Sequence, residues 1–255
     1  MTGRDSAPPV VLVLLGGPEV VCGDCRVAVP EGSKRLVAYL AVHGGRVDPR
    51  HAANAIWPDV DRHRAAGNLR SAVWRVRTSG IDIIDTGTRD LALDQRVRID
   101  LDAVSGWADR IVASRTRSGD LDLLPAAVPA LDLFPGWYDD WVVLERERLR
   151  ERMLRAIDTL SALLVAAHRF GDAVEAALSA VGVDPLRESA QRTLIKAHLA
   201  EGNICEARRS YTAFAALLAH ELGVAPPTAL TDLVSVPSMR SPTSDAYRLT
   251  RGVCA

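Results

Sequence analysis

Lysine is almost missing from this chain of 255 residues: Lys34 and Lys196 are the only two. The remaining 29 of its 31 basic residues are arginine, in a sequence rich in alanine and valine. Such a bias points to a GC-rich genome before it points to a mechanism, so an arginine counts only by its position. Cysteine is also scarce, at Cys22, Cys25, Cys205 and Cys254. A structural zinc site needs about four ligands, and Cys22-Gly-Asp-Cys25 has no second pair to complete one. A redox pair belongs ahead of a helix in a βαβ unit. Here Gly23-Asp24 stands between two short β-prone runs, as a hairpin turn would. The expectation is two reduced thiols flanking a turn. No run approaches the roughly 18 apolar residues of a membrane span. Val10 to Leu15 reads as a buried strand rather than a signal-peptide core, and the chain as cytoplasmic, without a membrane partner. Phosphate-cradling glycine loops and a nucleophile elbow are absent. His168, His198 and His220 fall on separate predicted helices. No catalytic residue, metal or cofactor is expected.

The formal net charge is -1, but it divides unevenly. Up to Leu101 there are 14 basic and 12 acidic residues, and from Asp102 onward 17 and 20. A mildly basic front and a mildly acidic rear suit a nucleic-acid module joined to a protein-contact module.

The front holds one conspicuous segment, Arg62 to Arg77, with five arginines and no acid. Ala66, Leu69, Val73 and Val76 recur at helical spacing and predict the buried face. Opposite them the wheel puts Ser71, with Arg64, Gly67, Trp74 and Arg75 near it and Asn68 and Arg70 on the flanks. Arg77 falls nearer the buried edge, where a phosphate contact suits it better. Arg, Asn and Ser are side chains that reach base edges and phosphates in a major groove. The bland alternative is a solvated amphipathic helix, but an outward Trp74 is a liability without a partner surface.

Around this segment the pattern predicts short strands at Val10–Leu15 and Glu19–Val29. A helix Lys34–Val42 follows, capped by Ser33, and then a helix from Pro49 to Trp57 capped by Asp48. Arg62 and His63 are expected in the loop before the third helix. Ile81–Asp85 and Leu91–Asp94 predict a hairpin with Gly87-Thr88-Arg89-Asp90 at its tip, followed by a strand Val97–Leu101. Strands, three helices and a hairpin make a winged helix of the OmpR type, with an α+β front. Thr88 and Arg89 are wing-tip candidates for DNA contact, and Arg62 is a further candidate beside the helix.

From Asp102, predicted as a helix cap, the rear is expected to be all-α. Helices are predicted at Val142–Ala167, Asp172–Val181, Leu186–Ala200 and Asn203–Leu222. Gly171-Asp-Ala-Val-Glu-Ala176 matches Gly202-Asn-Ile-Cys-Glu-Ala207, a shift of 31. The layout is that of degenerate tetratricopeptide helix pairs, whose period is about 34. Phe134-Pro-Gly-Trp-Tyr-Asp-Asp-Trp141 is expected to be a docking corner with the acids capping the next helix. Glu145–Arg148, Glu147–Arg150 and Glu151–Arg155 are expected pairs along a solvated face. The expected division is a disordered 1–9, a winged helix over 10–101, a helical domain over 102–235 and a disordered 236–255.

Several segments, taken in order, resemble the Streptomyces antibiotic regulatory protein family. They are Val42-His-Gly-Gly-Arg-Val47, Ala66-Gly-Asn-Leu-Arg-Ser-Ala-Val-Trp-Arg-Val-Arg77, Phe134-Pro-Gly-Trp-Tyr-Asp-Asp-Trp141, Leu144-Glu-Arg-Glu-Arg-Leu149, Asp184-Pro-Leu-Arg-Glu-Ser189 and His198-Leu-Ala-Glu-Gly-Asn203. The resemblance implies an OmpR-type winged helix joined to a bacterial transcriptional activator domain. It implies a regulator that binds direct repeats in promoter double-stranded DNA as a side-by-side homodimer and contacts RNA polymerase holoenzyme. Similar proteins often activate antibiotic clusters. By the same resemblance Arg64 to Arg77 is the recognition helix, and the loop Pro58 to His63 faces polymerase. The wing departs from the pattern, with Asp82, Asp85, Asp90 and Asp94 against one arginine. A helical-repeat module whose winged helix binds protein is the alternative. A third reading, a small-molecule sensor, rests on the Trp137–Trp141 cluster alone.

Overall fold

The computed structural model describes residues 10–87, 89–122 and 133–235. The segments 1–9 and 236–255, expected to be disordered, and the wing-tip candidate Thr88 lie outside the described residues.

The chain opens with an antiparallel meander, β1 (Val10–Val13), β2 (Glu19–Cys22) and β3 (Cys25–Ala28). Cys22 and Cys25 face each other across the Gly23-Asp24 turn, as the spacing predicts, and both are free thiols. Three helices follow: α1 (Lys34–His43), α2 (Pro49–Ile56) and α3 (Arg62–Thr78). Next comes the hairpin of β4 (Ile84–Thr86) and β5 (Leu91–Leu93), to which Val47 adds a bridge at Leu91. β6 (Val97–Ile99) then returns beside β1, parallel to it, and closes a sheet of order β3-β2-β1-β6. This is the winged helix. Asp48 caps α2 as expected, accepting from the N–H groups of Arg50 and His51 at 2.7 and 3.3 Å.

Two expected caps do other work. The Ser33 side chain makes no cap bond; its buried hydroxyl donates to the Ala72 carbonyl at 2.9 Å and ties the start of α1 to α3. Asp102 lies inside α4 (Asp100–Val112) rather than ahead of it. The carboxylate at its start belongs to Asp100, which accepts from the N–H groups of Leu14 and Leu15 at 3.0 Å and pins α4 to the end of β1.

The rear is helical: α4, then α5 (Asp140–Ala166), α6 (Phe170–Val183), α7 (Glu188–Glu201), α8 (Ile204–Leu222) and α9 (Thr228–Val234). Each of α5 to α8 packs against the next. Ala173, Ala176, Ala177 and Ala180 of α6 are fully buried, and side chains this small let its neighbours approach closely. The paired helices α6 and α8 start at Phe170 and Ile204, 34 residues apart. The 31-residue sequence match therefore aligns the wrong turns: Gly202 is a left-handed cap at φ 87°, whereas Gly171 sits inside α6. The short α9 was not expected; its Leu230 closes a small core with Ile195, Phe214 and Leu218.

Front and rear share one continuous core, and the expected docking corner forms part of it. Trp141 meets Tyr39 of α1 edge-on at 5.2 Å, and Phe134 stacks on Trp137 at 5.0 Å. Asp139 sits at the cap position of α5 without capping it. It accepts instead from Arg35 Nε at 3.0 Å, and the Arg35 guanidinium lies 5.1 Å from the Trp137 ring centre. Glu145–Arg148 and Glu147–Arg150 pair as expected, but Glu151 turns away from Arg155 to Arg187 at 2.7 Å. Among the described residues, no helix is long and apolar enough to cross a membrane.

Candidate nucleic-acid interface

Helix α3 begins one residue after Asp61, whose carboxylate accepts the Arg64 N–H at 2.9 Å. That bond, aided by the neighbouring His63 and Arg64, holds the Asp61 carboxyl below its usual range. Arg62 and His63 therefore stand in the first helical turn, not in the loop as the pattern implied.

The buried stripe is Ala65, Leu69, Ala72 and Val76, with Ala66 and Val73 only half-buried. Against the expected stripe this turns the helix by about 50° at 3.6 residues per turn. Hydrophobicity ranks Val73 above Ala72, but the small side chains at 65 and 72 allow α3 to lie close on its neighbours. The rotation changes which groups face outward. Gly67 and Trp74 now lie opposite the core, with His63, Arg70 and Ser71 beside them. Trp74 is 65% exposed, and Arg62, Arg64, Arg70 and Ser71 are exposed. Asn68 is half-buried. Arg77 comes out to the surface instead of lying at the buried edge, and donates to Thr86 Oγ1 of the wing at 2.6 Å. Arg75 goes the other way: half-buried, it donates from Nη2 to the Gly32 carbonyl at 3.0 Å. Arg62, Arg64, Arg70 and the exposed wing residue Arg89 have no acidic partner among the described residues.

The acids of the wing are engaged. Arg46, which precedes α2, reaches Asp90 at 2.5 Å and Asp85 at 2.9 Å. A Cβ on Gly87 would stand 2.1 Å from the Asp90 carboxylate and 2.6 Å from Arg46 Nη1, so any other residue there would make the pair shift. Arg96 grips Asp94 at 2.7 Å and lies 3.9 Å from Asp82; its hydrogen bonds hold the Asp94 carboxyl at about 2. Counting residues 81–94 alone gives an acidic wing. The folded wing is close to balanced, because its arginines come from outside that window. Arg50 and His51, exposed at the start of α2, were not singled out by the sequence pattern. They line one groove with Arg46. Among the described residues, no group of three or more His, Cys, Asp or Glu could hold a metal ion.

Residues 124–235 match the bacterial transcriptional activator domain. No curated protein matches the chain. A solved structure, Mycobacterium tuberculosis EmbR in complex with a low-affinity phosphopeptide, is similar in fold, with a TM-score of 0.68 at 18% identity. The likeness covers 89% of this chain and 64% of that one, so this chain spans less than two thirds of its length. A winged helix followed by a bacterial transcriptional activator domain is the arrangement that the resemblance to the Streptomyces antibiotic regulatory proteins implies, and the match over residues 124–235 and the EmbR-like fold are consistent with it.

Proposed function

We propose that the chain binds specific sequences in double-stranded DNA through α3 and activates transcription from them. One observation carries the reading. Helix α3 exposes Arg70 one turn from a Trp74 that is 65% exposed, and Arg62 and Arg64 in its first turn, and none of the three forms an ion pair among the described residues. Unpaired guanidinium groups beside an exposed indole form a surface suited to phosphates, base edges and thymine methyls. In this reading Arg70, Ser71, Asn68 and Trp74 face the major groove. Arg62, Arg64, Arg77 and Arg89 hold the backbone.

The resemblance to the Streptomyces antibiotic regulatory proteins supports the finer parts of the proposal. They are side-by-side copies on promoter direct repeats, recruitment of RNA polymerase holoenzyme by residues 102–235, control of antibiotic biosynthesis genes, and a place in the cytoplasm. A gel shift on DNA upstream of the chain's own gene tests the core of it. Binding should weaken steeply with salt, because each phosphate contact releases counterions. A complex that never forms at low salt sinks the reading.

A second reading turns the winged helix toward protein. Its support is the near-neutral wing, with Arg46 and Arg96 engaged by acids, and the phosphopeptide bound in the EmbR structure. Loss of a protein partner, but not of DNA, on changing Arg70 would favour it.

A further inference from the structure

We infer that Arg75 and Ser33 are positioning residues: they clamp α3 at one axial rotation and so decide which of its side chains a duplex meets. The inference rests on the DNA-binding reading of α3.

The apolar seam alone does not settle that rotation. Two stripes about 50° apart, one through Ala65 and Ala72 and one through Ala66 and Val73, share Leu69 and Val76, as the 3.6-residue period allows. Alanines offer little relief to resist sliding from one to the other. Polar bonds supply the choice. Ser33 is fully buried and donates to the Ala72 carbonyl at 2.9 Å. The adjoining Gly32 accepts from Arg75 Nη2 at 3.0 Å, one turn further along α3. Two bonds from neighbouring residues to successive turns resist rotation as one bond would not. The fit at Gly32 is close: a Cβ there would stand 3.0 Å from Arg75 Nη2. Arg75 Nε is buried without an acceptor among the described residues. An arginine free to reach solvent would hydrate that N–H, so its burial marks a guanidinium held in place.

The test uses the full chain with Ser33→Ala, Gly32→Ala and Arg75→Gln. The probes are a duplex from its own upstream region and a scrambled duplex of equal composition. Each variant should lose about tenfold in selectivity between the duplexes, while low-salt affinity for the scrambled one stays within about threefold. Adding Gly32→Ala to Arg75→Gln should change selectivity by less than about twofold, since both break one bond. A loss of preference at a single base pair in Arg75→Gln, absent from Gly32→Ala and Ser33→Ala, would make Arg75 a base contact and overturn the clamp. Unchanged selectivity in all three would also overturn it. A measurement without DNA separates the two levels. The Arg75 Nε–H should exchange slowly in the wild-type protein and rapidly in Gly32→Ala, or in Ser33→Ala if Gly32→Ala does not fold. Rapid exchange in the wild type rejects the clamp whether or not any duplex binds. Slow exchange with no binding to either duplex rejects the DNA reading alone.

Discussion

Helix α3 and much of the helical half use the same side chain in opposite ways. On α3, Arg62, Arg64 and Arg70 face solvent and form no ion pair among the described residues. On the helical half, Arg148, Arg150, Arg169, Arg187 and Arg209 each meet at least one. Exposure alone does not separate the groups, for the Arg148 side chain is 63% exposed. The difference lies in the partners that the fold supplies. A guanidinium already bonded to a carboxylate keeps little field for a distant phosphate, whereas an unpaired one keeps it all. In a chain whose basic residues are nearly all arginine, function is written in the pairing.

The strongest way to break the comparison is to cut the join between the two regions. Trp141 is 8% exposed and packs edge-on against Tyr39 of α1. Trp141→Ala should cost about 3–5 kcal/mol of stability, read from urea unfolding. A loss below about 1 kcal/mol would mean that this contact does not bind the halves together.

Next in size is the front region's own function. Arg70→Ala should weaken specific DNA binding by about 1–3 kcal/mol and leave the unfolding midpoint almost unchanged. Equal losses in stability and binding would place Arg70 among the structural arginines of the rear.

The paired arginines should show themselves in acid. Arg110 grips Asp120 through two bonds at 2.9 and 2.8 Å, and the Trp107 indole donates to the Asp120 carbonyl at 2.8 Å. The Arg110 bonds, joined by the Arg117 N–H at 2.8 Å, hold the Asp120 carboxyl at about 2, below its ordinary 3.8. A depressed carboxyl stabilises the fold above its unfolded value and loses that contribution as pH falls toward its folded one. Stability should therefore drop between about pH 4 and pH 2. Asp120→Asn should be less stable at neutral pH and flatter across that window. A variant with an unaltered acid limb would remove Asp120 from the account.

Much of this was legible in the sequence. Element order, the Asp48 cap, the thiol-flanked turn and the docking corner follow from local rules, since each depends on residues within a few positions. Several of the differences share a cause: they required distant partners. Ser33 and Asp139 look like caps, yet Ser33 bonds Ala72 and Asp139 bonds Arg35. The wing looks acidic until Arg46 and Arg96 fold against it. The face of α3 differs from the expected one by about half a residue step because side-chain size, and not apolar character alone, decides which stripe packs. The positions of Arg75 and Arg77 were exchanged as a result.

The smallest expected effect sharpens the contrast most. Arg148 bonds Glu145 one turn back on α5. Arg148→Ala should cost only about 0.2–0.5 kcal/mol of stability, because both groups exchange one hydrated partner for another. It should leave DNA affinity and its salt dependence unchanged. Arg62→Ala removes the same charge from the first turn of α3, where it forms no ion pair among the described residues. There the stability change should be as small, but the slope of log affinity against log salt should fall by about one. Two substitutions alike in chemistry and in folding cost would then differ only in what the duplex loses. If the salt slope fell equally for both, the acidic partners of the rear would not be shielding its arginines, and pairing would cease to distinguish the two halves.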